Sequence, residues 1–356
     1  MRLHIILPSL AVLLFISACG NSGGGGAADS TSAAAGDSLT ADVPANLERG
    51  EGPIQLALRF RKGDAFGYAI KTTQNVAITS DTIVDKSVQT MTYRYRFDVL
   101  DTLSDGSARL RATCLAMRFE GEYESAGTKK SMRYDSGEKN DPAKEKMFMQ
   151  YAACVGAPFE IVLSPQGRIE RVGGTDAVIQ RLLGADRKTM SSDAVAKVTA
   201  DYSENGLKGI VQQAFQKLPE RPVAADSLWK HSWGGTLGFL RLQNDATYTL
   251  KGFQQRPEGR AASITAKMTS RYTGDKRLDT GQGMATVHAF DVSGSGLTVF
   301  DLAAGRPASR AIMQKVYAKF FVEPPAELKQ VAPDQAKDFW WIQEATIGNT
   351  VETIKL

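Results

Sequence analysis

Side chains suited to nucleophilic, acid–base or metal chemistry are scarce in this chain. Its 356 residues hold three histidines, His4, His231 and His288, and three cysteines, Cys19, Cys114 and Cys154. A zinc site draws on three or four N, S or O ligands, and its usual signature contains a close pair such as H-x-x-x-H or C-x-x-C. No such pair occurs. His231 and His288 each read as an ordinary strand histidine. The nucleophile elbow Gly-x-Ser-x-Gly is missing, because Val292-Ser293-Gly294-Ser295-Gly296 lacks the first glycine. No phosphate-cradling Walker loop is found, and Gly281-x-Gly283 has neither a third glycine nor a helix pattern behind it. Asp201 to Gly206 imitates the opening of a calcium loop. Its twelfth position, however, is Gln212, where such a loop needs a bidentate Glu, so the segment reads as a turn between two helices. Glu120, Glu122 and Glu124 share one face of a strand and read as a solvated face. We therefore expect no catalytic residue, no metal ligand and no cofactor, and a protein that binds rather than converts. An envelope hydrolase with a carboxylate-based site is the alternative.

Cys19 is the residue with a specific chemistry. Arg2 is followed by an apolar run from Ile5 to Ile16. A membrane span takes about 20 apolar residues, so this shorter run fits the core of a secretory signal peptide. It ends in Ile16-Ser17-Ala18-Cys19, which resembles the lipobox of bacterial lipoproteins. The resemblance implies cleavage before Cys19, a diacylglyceryl group on its sulfur and a fatty acyl chain, such as palmitate, on its new amine. Two or more acyl chains give stable anchoring, so the membrane is the first expected partner. Gly20, rather than Asp, follows the cysteine, which in enterobacterial-type lipoproteins favours the outer membrane.

The charge is nearly balanced, with 43 basic and 39 acidic residues and a net charge of +4. No basic stripe marks a nucleic-acid binder. Behind Cys19 the chain is rich in Gly, Ala and Ser, and it carries no large apolar residue until Leu39. Such a segment cannot bury enough surface to offset its chain entropy. As a flexible coil it would reach roughly 30–35 Å.

From Ile54 onward the pattern turns to strands. Gln55 to Arg61 alternates, and Thr90 to Leu100 places Tyr93, Tyr95, Phe97 and Val99 on one face. Asp105-Gly106 is a hairpin signal, after which Ala108, Leu110, Ala112, Cys114 and Ala116 alternate with polar residues. A second copy follows at a spacing of about 155 residues, pairing Thr92-Tyr93 with Thr247-Tyr248 and Asp105-Gly106 with Glu258-Gly259. Pro142 to Cys154, Thr175 to Gly184 and Ser191 to Leu218 have helical spacing, with a break expected near Asn205-Gly206. Gln335 to Ile342 also reads as helical, and Thr350 to Leu356 as a closing strand.

The fold class is α+β: a mostly antiparallel meander in two similar halves, as one curved sheet or two facing sheets, with a helical insertion between them. We divide the chain into 1–18, a signal peptide; 19–53, a flexible tether; 54–141, a first β unit; 142–222, a helical and hairpin insertion; 223–323, a second β unit; and 324–356, a tail closing on the body. Cys114 falls on an apolar strand face and Cys154 near a helix end. They are either a disulfide pair, which an oxidising compartment permits, or two buried thiols.

Pro222-Val223-Ala224-Ala225-Asp226-Ser227-Leu228-Trp229 and the hairpin Phe159 to Gly173 resemble two motifs of an uncharacterised family of bacterial envelope lipoproteins. Ala225 stands where that family prefers Gly. The resemblance implies a β-rich fold and an envelope location, and no activity. The expected function is a membrane-anchored binding module for a lipid, a peptide or an envelope protein, or else a scaffold subunit of an outer-membrane assembly. Replacing Cys19→Ala should abolish labelling by radioactive palmitate and move the protein from the membrane pellet to the soluble fraction; unchanged labelling would rule out acylation at this residue.

Overall fold

In the computed structural model, residues 43–44, 46–50, 52–81, 83–237, 240–280, 283–331 and 336–356 are described. Cys19, the signal segment and most of the tether lie outside them. Four long strands open the body: β1 (Ala65–Ser80), β2 (Ile83–Thr102), β3 (Ala108–Ser125) and the shorter β4 (Thr128–Asp135). Their pattern follows the sequence. Tyr93, Tyr95, Phe97 and Val99 of β2 are buried while Arg94 and Arg96 are exposed. In the β2–β3 turn Gly106 takes φ 81°, and the Asp105 carboxylate accepts from the Ser107 N–H at 2.9 Å. One alternation changes phase. Cys114 is buried, but Leu115 is 45% exposed and Met117, not Ala116, is the next fully buried residue. The cause is a bulge: Arg94 pairs with Ala116 and Tyr95 with Cys114, which leaves Leu115 unmatched and swaps the faces beyond it.

α1 (Pro142–Ala152) starts with Pro142 in its first turn, and the Asp141 side chain accepts from the Lys144 N–H at 2.9 Å. The hairpin β5 (Phe159–Leu163) and β6 (Ile169–Gly173) follows, and β5 pairs with β3. α2 (Asp176–Leu183) begins after Thr175, whose side chain makes no capping bond. α3 (Ser192–Asp201) is capped by Ser191, whose hydroxyl accepts from the Ala194 N–H at 3.2 Å. The expected break at Asn205-Gly206 is absent. The helix instead widens into one π turn over Tyr202–Leu207 and continues as α4 (Lys208–Gln212).

The second set of strands is β7 (Leu228–Leu237), β8 (Leu240–Arg256), β9 (Gly259–Tyr272), the short β10 (Arg277–Asp279), β11 (Met284–Asp301) and β12 (Arg306–Glu323). After α5 (Ala326–Val331) comes β13 (Phe339–Ile354). Among the described residues these strands make one antiparallel sheet, ordered β6-β5-β3-β2-β1-β13-β12-β11-β9-β8-β7, with β4 on β3 and β10 on β11. The sheet is open and curved, so the two halves share one sheet rather than facing each other. The runs β3-β2-β1 and β9-β8-β7 appear in the same order and the same direction across it.

Two further expectations are overturned. Phe339 to Ile342 is strand, not helix: Trp341 points inward and Trp340 outward, the period of two that a strand imposes. An apolar run this short does not distinguish a helix from a strand. Gln55 to Arg61 joins no ladder, although Leu56 and Leu58 are buried. Its backbone bonds go elsewhere, with Leu58 N–H donating to Pro165 O and Arg59 N–H to Gly305 O.

The main core is aromatic. Phe97 is fully buried, with ring centroids of Phe66 at 5.3 Å, Phe215 at 5.6 Å and Tyr95 at 5.9 Å. Truncating a buried Phe costs about 3–5 kcal/mol. Phe97→Ala should therefore lower the stability measured by urea unfolding by that amount, and Leu115→Ala by less than about 1 kcal/mol. Equal losses at the two sites would contradict the bulge.

Candidate ligand-binding face

The buried face of the sheet has two parts with different chemistry. Pairing aligns side chains across the central strands into rows. One row runs through Ile70, Val351, Arg310 and Thr298, and the next through Thr72, Asn349, Ile312 and Gly296. These rows are covered by the segment after α4. Phe215 inserts between Tyr68 at 6.0 Å and Phe97 at 5.6 Å. The Gln213 carbonyl accepts from Arg310 Nη1 at 2.7 Å, and the Gln216 side-chain oxygen accepts from the Thr298 hydroxyl. Leu207 to Leu218 thus closes this half as a packed core.

The third row is a polar belt: Gln89, Gln74, Ile347, Gln314, Gly294. Beyond it lies a second apolar cluster, separate from the first, that includes Val76, Val292, Val316, Phe320, Trp341 and Ala345. Among the described residues α3 and α5 bury no side chain, and α1 and α2 contribute Phe148 and Val178 to the first cluster alone. Two glycines shape the transition. A Cβ at Gly294 would meet Gln314 Cγ at 2.8 Å, and one at Gly296 would meet Ile312 Cγ1 at 2.9 Å. The lack of side chains there lets Gln314 and Ile312 of β12 lean over β11.

The face carries polar atoms that the protein leaves unmatched. Gln314 Oε1, Gln343 Nε2, Asn349 Nδ2 and Trp341 Nε1 are all buried without a hydrogen-bond partner. All four belong to β12 and β13. Such atoms cost about 1–3 kcal/mol each when unsatisfied, and buried polar groups are normally paired by protein, ordered water or a ligand. Past the belt, the inward positions of β1, β13 and β12 hold no charged residue. On β2, Asp85 stands opposite Ile78 and presents a carboxylate, one oxygen of which is buried and unmatched. Two N–H donors, at Trp341 and Gln343, and an amide acceptor, at Gln314, are thus buried among hydrocarbon without a partner. That chemistry suits an uncharged polar group joined to an apolar chain. It does not suit an anion, which would find no cation here.

The residues singled out in the sequence are dispersed. His231 stacks on Trp233 at 5.1 Å, and burial, followed by Lys217 and Arg168, lowers its pKa. His288 is exposed on β11 at a bulge, with its ring 4.6 Å from Trp340. Asp201 to Gly206 is helical, and Gln212 serves the fold. Its amide nitrogen donates to Gly167 O at 2.7 Å and its oxygen accepts from Ile169 N–H at 2.8 Å, which holds the β5–β6 turn. Glu120 and Glu122 are exposed, as a solvated face requires. Among the described residues no group of three His, Cys, Asp or Glu side chains is placed to hold a metal. Cys114 and Cys154 are brought together, both as free thiols. Sequence reasoning missed Gln74, Gln314, Gln343 and Asn349. Each sits at an inward position that only the strand register reveals.

Among solved structures, lipovitellin, described for its lipid–protein interactions, is 8% identical with a TM-score of 0.44, over 83% of this chain and 26% of that one. This chain thus spans about a quarter of that chain's length. The COG4313 outer membrane channel from Pseudomonas putida F1 is 9% identical with a TM-score of 0.19, over 83% of this chain and 97% of the channel. No curated protein matches the chain. Residues 115–305, more than half of the sequence, match the model of a family of unknown function, DUF6263, and the chain belongs to that family.

Proposed function

We propose that this protein is a lipid-anchored envelope protein, held at the outer membrane by acylated Cys19, whose curved sheet binds an amphipathic ligand with an uncharged head. The lipobox and the Gly-rich tether support the location. We read the two meanders as duplicated halves that widen one sheet into a binding surface. One observation carries the binding reading: Gln314, Gln343 and Trp341 keep buried, unmatched polar atoms on a mostly apolar face whose nearby charge is the Asp85 carboxylate. A protein that only needed a core there would gain stability from Leu or Met at these positions. Retaining amides costs about 1–3 kcal/mol per unmatched atom, and a ligand that pairs them recovers it. The lipid class favoured by the absence of cations is an acylglycerol rather than a fatty acid or an anionic phospholipid.

Delipidated protein should melt a few degrees higher with monoacylglycerol or diacylglycerol in hundredfold excess over Kd, the effect of about 2.7 kcal/mol of linkage in a protein of this size. Fatty acids should shift it less. Native mass spectrometry of gently extracted protein should show the same lipid class bound. Gln343→Leu should leave the ligand-free melting temperature unchanged or raised, and remove the lipid-induced shift. If no lipid moves the transition, and Gln343→Leu destabilises the free protein, the face is a filled core and the reading is wrong.

A further inference from the structure

Cys114 and Cys154 meet in a nest that the binding face does not use. The segment after α1 turns back alongside β3. Cys114 pairs with Val155 in an isolated parallel bridge, and the Gly156 N–H donates to the Cys114 carbonyl at 2.7 Å. This backbone contact sets the two cysteine side chains against each other; the Cys114 thiol donates to Ala116 O at 3.5 Å and the Cys154 thiol to Tyr151 O at 3.7 Å. The Tyr95 hydroxyl donates to Cys154 Sγ at 3.4 Å. Both cysteines are fully buried. The pair is asymmetric. The neighbouring Cys114, the Tyr95 hydroxyl and the Arg181 charge together hold the Cys154 pKa below the ordinary thiol value despite burial. Cys114 is pushed well above it by the neighbouring Cys154 and by burial.

We propose that Cys114 and Cys154 form a reversible disulfide by exchange with a small-molecule disulfide such as oxidised glutathione. The Cys154 thiolate attacks one glutathione sulfur, breaks that S–S bond and expels a glutathione thiolate. The Cys114 thiol gives its proton to the expelled thiolate. Its own thiolate then attacks Cys154 Sγ, closes the Cys114–Cys154 bond and releases the second glutathione. The two protein thiols lose two electrons and the glutathione disulfide gains them. The bond ties the middle of β3 to the α1–β5 connection and closes a loop of about 40 residues, a length at which a cross-link constrains the unfolded chain appreciably. Because both thiols are buried, exchange waits on opening of the turn at Val155-Gly156-Ala157, so it is slow while that turn stays closed.

The test is peptide mapping of the purified full-length chain after incubation with oxidised glutathione and alkylation of the remaining thiols. Tryptic cleavage places Cys114 in residues 112–118 and Cys154 in residues 147–168. The expected result is that these two peptides run as one species and separate on reduction, and that the oxidised chain melts higher than the reduced one. Cys114→Ser should stop the reaction at the mixed disulfide, leaving one glutathione on Cys154 and no rise in melting temperature. The proposal is overturned if both peptides stay separately alkylated near the melting temperature, where the turn opens. It is equally overturned if the wild-type chain stops at a Cys154–glutathione adduct with Cys114 still free.

Discussion

The fold depends on the pairing of β13 with both β1 and β12. Every buried backbone N–H and C=O must find a partner, and each meander alone would leave a long open edge. β13 pairs with β1 from Gly67–Ile354 to Ser80–Trp341, and with β12 from Ser309–Glu352 to Val322–Phe339. The last strand in sequence thereby becomes the central strand of the sheet. It satisfies both edges at once and joins elements nearly 300 residues apart. The two halves are continuous because this strand lies between them.

A sheet this wide coils because each strand twists against the next. The chain fills one end with aromatic rings and with the segment Leu207 to Leu218, whose Phe215 reaches Tyr68 and Phe97. At the other end the strands themselves supply Val76, Val292, Val316, Phe320, Trp341 and Ala345, with Gly294 on β11 and the amides Gln314 and Gln343 beside them. The belt of Gln89, Gln74 and Gln314 marks the boundary.

That division has an energetic logic. The packed half contributes the burial that stabilises the fold, with fully buried Tyr68, Tyr95, Phe97, Phe159 and Phe215. This permits the belt half to keep unmatched polar atoms at a cost that a small core could not carry. Local rules hold where stability is set, and they are broken where a ligand would be recognised. The cysteine pair belongs to the packed half: it lies against Tyr95, next to α1.

By itself the sequence determined the type of most elements, the faces of β2 and the first stretch of β3, and the helical insertion between two strand-rich halves. These are local consequences of side-chain period, capping and turn chemistry. It also placed Cys114 and Cys154 on buried positions, while leaving open whether they meet. Phe339 to Ile342 was misread because four apolar residues fit either period, and only the edges of β1 and β12 decide that they extend. Ala116 was misplaced because a bulge is a property of two paired strands. The amides at Gln74, Gln314, Gln343 and Asn349 looked like ordinary polar residues, since nothing local distinguishes an inward glutamine from an outward one in a strand whose register is unknown. Tertiary structure alone decided that register, and with it the gathering of four scattered amides onto one face and of two thiols into one nest. The physical reason is that both are set by hydrogen bonds between separate segments of the chain, which no local pattern encodes.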